Sequence, residues 1–145
     1  MAIKFAVAAL LSTVLFASCA SEPAKPPTPN LLKTEWLLED LGGKGVVDRA
    51  QATLAFPEED KVAGNGSCNR FFGSVAIKGD TISFGQMGST LMACWAEAVA
   101  KQESNYLNAL KNAERISLEG PHLLIYARGL DKPLRFTQIT PKSQP

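Results

Sequence analysis

The spacing of apolar side chains divides the chain into a short apolar leader, a proline-rich stretch and a long segment dominated by alternation with period two. Successive side chains of a strand face opposite sides, so alternation marks a sheet with one buried face. Thr34–Leu41 predicts a first strand, ended by Gly42-Gly43, and Ala52–Phe56 a second, closed by Pro57. Lys61-Val62-Ala63 leads into a glycine-rich loop, after which Phe71–Ile77 alternates again. Lys78-Gly79-Asp80 is a tight-turn signal before Thr81–Phe84, so this pair predicts a β-hairpin. The period changes over Ala96–Asn112. Val99, Glu103, Tyr106, Leu107 and Leu110 fall on one face there at three- and four-residue spacing, the mark of an amphipathic helix. Arg115–Glu119, His122–Tyr126 and Leu134–Ile139 predict three further strands, punctuated by Gly120-Pro121 and Gly129–Pro133.

About eight strands and one late helix predict a mainly β (α+β) fold. The expected form is an antiparallel sheet, strongly curled or closed into a small barrel, with the helix packed against it. No βαβ rhythm appears, which excludes a parallel nucleotide-binding sheet. Trp36, Phe56, Phe71, Phe84 and Tyr106 are expected in the core. Trp95 is read as core or staple, with a contact surface as the alternative.

The leader is MAIKFAVAALLSTVLFASC. Lys4 supplies a positive start, and Phe5–Phe16 is an apolar run of about twelve residues, too short to span a bilayer but suited to a secretory signal. Ala17, Ser18 and Cys19 resemble the lipobox of bacterial lipoproteins, although Phe16 stands where leucine is usual. The resemblance implies that Cys19 is acylated and becomes the new N-terminus; an ordinary signal peptide cut near Ser18 or Ala20 is the alternative. Residues 1–18 are then a signal peptide, 19–30 a lipidated proline-rich tether, 31–140 one folded domain and 141–145 a tail. Two or more acyl chains give stable anchoring. Ala20 and Ser21 lack the aspartate that retains such proteins at the inner membrane, so the outer membrane, facing the periplasm, is expected.

Charge narrows the partners. The chain has 15 basic and 14 acidic side chains, and removal of Lys4 with the signal leaves 14 of each. No basic stripe stands out, which excludes nucleic acid as the main partner and removes the attractor for anionic surfaces. A monomer is expected.

The densest candidate chemistry is Gly64-Asn65-Gly66-Ser67-Cys68-Asn69-Arg70-Phe71-Phe72-Gly73. A dinucleotide loop needs a third glycine where Asn69 stands, and a P-loop needs a lysine that is absent here. A metal site would draw on Cys68, Cys94 and His122, but these lack the paired spacing of zinc ligands. A hydrolase would pair Cys68 or Ser67 with His122, on no local signature. Export favours another reading. In an oxidising compartment, with Cys19 acylated, Cys68 and Cys94 are expected to form a disulfide. It closes a loop of about 27 residues, worth roughly 3.5 kcal/mol by chain entropy. Gly64 and Gly66 are then expected at positive φ, and Asn65 and Asn69 in turns bonded to their own backbone. Glu103, on the apolar helix face, is expected to bond turn backbone or a hydroxyl; the alternative is a pocket acid.

These residues also carry a family likeness. Trp36 and Leu38, Phe56, the run Val62-x-Gly64-x-x-x-Cys68-Asn69-x-Phe71-x-Gly73, and Thr90-x-Met92-Ala93-Cys94 resemble the META domain. Glu103-x-x-Tyr106-Leu107-x-x-Leu110 and Leu123-x-Ile125-Tyr126 continue it in order. The family includes HslJ-like heat-shock lipoproteins of bacterial envelopes. The resemblance implies a compact barrel-like sheet with a packed helix, a role in envelope stress or maintenance, and no catalytic residues or cofactors. The expected function is non-enzymatic binding of a peptide, an envelope protein or a hydrophobic ligand. A pilot-like assembly factor for a secretion system is the runner-up.

Overall fold

The computed structural model describes residues 27–139; the signal segment, Cys19, the start of the tether and the tail lie outside the described residues. Eight strands and one helix follow in the order β1 Thr34–Leu41, β2 Thr53–Phe56, β3 Lys61–Asn65, β4 Arg70–Lys78, β5 Thr81–Ser89, α1 Glu97–Lys111, β6 Ala113–Glu119, β7 His122–Ala127 and β8 Leu134–Ile139. Each strand pairs antiparallel with its neighbours in sequence, and β1 pairs with β8, so the sheet closes into a barrel. Closure removes the exposed edges that make open sheets prone to association.

Alternation puts one set of side chains inside. Trp36, Leu38 and Leu41 of β1 are buried, and the slip from period two between the last two coincides with a bulge at Leu38/Asp40. A second irregularity, between Gly73/Val75 of β4 and Met87/Phe84 of β5, puts the extra residue in β5, where the partly buried positions slip from Phe84 to Met87. Tyr106 reaches the barrel centre from the helix. Its ring meets Phe71 edge-on at 5.9 Å and Phe136 at 6.2 Å between centroids. Such contacts add to the area effect that dominates core stability.

Strict alternation of direction gives the barrel two distinct rims. Odd-numbered strands start and even-numbered strands end at one of them, the amino-terminal rim. There Lys33 N donates to Phe56 O at 2.8 Å, and Gly79 N donates to Thr28 Oγ1 at 2.8 Å. The far rim carries the β1–β2, β3–β4, β5–α1 and β7–β8 connections. Helix α1 belongs to the far rim. Glu97 in its first turn and Lys111 in its last suit its dipole, and Arg128 N donates to Asn112 O at 2.9 Å beyond its end.

Two elements differ from the sequence reading. β3 runs on to Asn65 and takes in Gly64 and Asn65 of the glycine-rich stretch. β5 continues from Phe84 to Ser89, although Gly85 and Gly88 interrupt the apolar pattern. Gly88 is the register partner of Phe72, and a Cβ on it would stand 3.1 Å from the Phe72 ring, so the glycine makes room for an aromatic neighbour. Phe84 is only half-buried, because β5 and β6 share a single registered pair, Thr81 with Arg115, and the barrel wall is incomplete beyond it.

Candidate functional site

The far rim gathers the groups that the glycine-rich stretch singled out. The β3–β4 loop doubles back, with Gly66 N donating to Asn69 O at 2.7 Å and Asn65 Oδ1 accepting from Ser67 N at 2.9 Å. Folded this way, the loop directs the amides of Cys68 and Asn69 at the helix. Glu103 Oε2 accepts from both, at 3.1 Å and 2.5 Å, and Oε1 accepts from Asn69 Nδ2 at 2.8 Å. Hydrogen bonds to an ionised carboxylate are the stronger kind, and three of them offset its removal from water.

The expected positive φ at Gly64 and Gly66 is not found; in this loop it is Ser67 that takes φ 106°. The glycines are there for close approach. A Cβ on Gly66 would stand 2.8 Å from the Glu103 side chain, and one on Gly64 would stand 2.1 Å from the Thr53 carbonyl oxygen.

Asn69, buried to 6% exposure, does not bond its own turn as expected; its side chain reaches Glu103 and the β5–α1 connection instead. Its Oδ1 accepts from Met92 N at 2.7 Å and from Thr90 Oγ1 at 2.9 Å, while Nδ2 also donates to Met92 O at 3.3 Å. Thr90 is fixed further by Arg70, whose N donates to Thr90 Oγ1 at 3.1 Å and whose O accepts from Thr90 N at 3.0 Å. Cys68 and Cys94 form the expected disulfide, with Cα atoms 5.6 Å apart. The β5–α1 connection, residues 90–96, is therefore held at both ends and in the middle. Gln102, which the apolar pattern hides, performs the same service for the β1–β2 connection and for Ser67. Its Oε1 accepts from Val47 N at 2.6 Å, and Nε2 donates to Ala50 O at 2.8 Å and Ser67 Oγ at 2.7 Å. The available signal was its spacing: Gln102 is three residues after Val99 and four before Tyr106, both buried.

This scaffold displays apolar side chains. Leu91 is 95% exposed, Met92 62% and Trp95 70%, and Phe72 on the outside of β4 is 63% exposed. Trp95 is thus neither core nor staple.

The groups with reactive potential are otherwise engaged. Cys68 and Cys94 are bonded to each other and so present no thiolate. Their sulfurs and a Glu103 oxygen lie within 4.8 Å of one another, a ligand-like spacing, but both carboxylate oxygens already face N–H donors. His122 starts β7 at the amino-terminal rim, next to Thr137 at 3.2 Å and Glu39 at 3.7 Å. The fold does not bring it to Ser67 or Cys68. Tyr106, wholly buried with its hydroxyl donating to Thr53 O at 3.1 Å, has its phenol pushed well above its ordinary pKa by burial.

Comparison with known proteins agrees with this architecture. An NMR structure of a protein from Burkholderia xenovorans superposes with TM-score 0.61 at 26% identity, covering 87% of this chain and 99% of that one. A second NMR structure superposes with TM-score 0.59 at 21% identity, covering 72% and 88% respectively, and shares the fold. No curated protein matches the chain. The META domain family matches residues 29–139, which include the barrel, the helix and the clamped loop, and the chain belongs to that family.

Proposed function

We propose that this chain is a non-enzymatic lipoprotein of the bacterial envelope, anchored through Cys19, whose META barrel binds a peptide, a protein or a hydrophobic ligand in stress tolerance or envelope maintenance. The observation that carries the binding role is the far-rim clamp: Glu103, Asn69, Gln102 and the disulfide are all spent on holding backbone. A site built for chemistry keeps a titratable group free to meet its substrate. Here the polar groups serve a rigid loop with apolar side chains outward, the arrangement of a recognition surface.

Anchoring is supported by the leader and the lipobox-like Ala17-Ser18-Cys19. The test is metabolic labelling of the full chain with an alkyne fatty acid in a Gram-negative host, followed by membrane fractionation. The wild-type chain should carry the label and sediment with membranes, and Cys19→Ser should lose both. A labelled Cys19→Ser chain, or an unlabelled wild-type one, would overturn the anchor.

A further inference from the structure

Leu91, Met92 and Trp95 are all exposed on one rigid connection, and the run Thr81–Ala96, which forms β5 and that connection, contains no charged residue. We propose that these three side chains are the anchors by which this domain docks into an uncharged, apolar cleft of a partner protein, a proposal that rests on the lipid-anchored reading above.

Three observations choose a protein over the alternatives. First, the loop's conformation is fixed before any encounter, by the disulfide, by Asn69 and by Thr90. Prior ordering lowers the entropic cost of fitting a cleft of fixed shape, whereas a fluid bilayer makes no such demand. Second, the run itself carries no basic side chain for lipid headgroups, and the two charges that flank it, Arg70 beside Thr90 and Glu97 after Ala96, are of opposite sign, which gives no net attraction to an anionic bilayer. Third, residues 1–26, with Cys19, precede Pro27 at the amino-terminal rim, and the loop is on the far rim. A barrel tethered by its N-terminus therefore presents the loop away from its own membrane. The same geometry disfavours a second copy, since two barrels joined at their far rims would point their anchors in opposite directions.

Photo-crosslinking of the full chain in its own host, in intact cells, tests this. Benzoylphenylalanine is placed separately at Leu91, at Trp95 and, as the control, at His122 on the other rim. Leu91 and Trp95 should give adducts with one and the same protein, and His122 should not. That protein, once purified, should bind the purified full chain. Trp95→Ser and Leu91→Ser should each weaken binding about tenfold or more while the melting temperature stays put. Adducts with phospholipid, adducts between two copies, the same adduct from His122, absence of adducts, or binding indifferent to both substitutions would each overturn the proposal. A parallel Cys19→Ser chain separates the two readings, because fractionation reports the anchor and the adducts report the cleft.

Discussion

Glu103 shows how one side chain converts a turn into a fixed object. A carboxylate on the inward side of a helix is costly without partners, and its three donors, Cys68 N, Asn69 N and Asn69 Nδ2, come from a single loop. Glu103→Gln keeps the shape but sets an NH2 group against one of those donors. It should cost about 1.5–3 kcal/mol in urea denaturation, in line with loss of a charged hydrogen bond. A variant as stable as wild type would return Glu103 to the pocket-acid reading. Tyr106 gives a pH signature. Its folded pKa is raised, so the folded state holds the phenol proton more tightly than the unfolded chain does. Its contribution is complete below about pH 10, the unfolded value, and is lost as pH rises beyond it. Urea midpoints measured from pH 8.5 upward should fall less steeply for Tyr106→Phe than for wild type. Glu103 was legible because a charged residue on an apolar stripe announces a need for donors. Asn69 and Gln102 were not, because an amide's worth depends on which backbone groups the fold delivers to it.

At the scale of elements, alternation located seven of the eight strands; β3 shows only as the short Lys61-Val62-Ala63 lead-in to the glycine-rich stretch, and the errors fall where glycine replaces a side chain. Gly64 and Gly66, on either side of Asn65, were read as turn glycines, yet both are needed for backbone or side-chain approach across the barrel. Gly64→Ala should be strongly destabilising, by about 2–4 kcal/mol, through overpacking against Thr53 and Phe71. Thermal melting would show it, and an unchanged melting temperature would contradict the close packing of β2 on β3. The Cys68–Cys94 bridge was legible from the cysteine count together with the expectation of export. Reduction should remove roughly 3.5 kcal/mol, read as a lower denaturant midpoint, and unreduced, unfolded protein should give no colour with a thiol reagent for this pair. The exposure of Trp95 was not legible, since a tryptophan at a helix start packs inward or outward according to a staple that the sequence does not draw.

The whole molecule is a closed barrel with two thin seams, β2–β3 with the single registered pair Ala55 and Ala63, and β5–β6. The antiparallel, mainly β architecture followed from strand number and from the lack of a βαβ rhythm, but closure is a tertiary fact, decided by β1 meeting β8 over six registered positions from Glu35 to Leu41. By contrast β5 and β6 register only at Thr81 and Arg115, supported by Ile116 N donating to Asp80 O at 2.7 Å. Hydrogen exchange should therefore protect amides of β1 and β8 longest and those of Gly85–Ser89 least among the barrel strands. Equal protection around the barrel would show that the helix seals the wall as well as a ladder does. The two-rim arrangement has a mechanical side. A pull applied to the far-rim loop and resisted at Pro27 runs along the strands, and antiparallel ladder bonds lie across that direction. Such a load must shear whole rows of bonds together rather than peel them one at a time, so a barrel held at one end and tugged at the other is stressed along its most resistant axis.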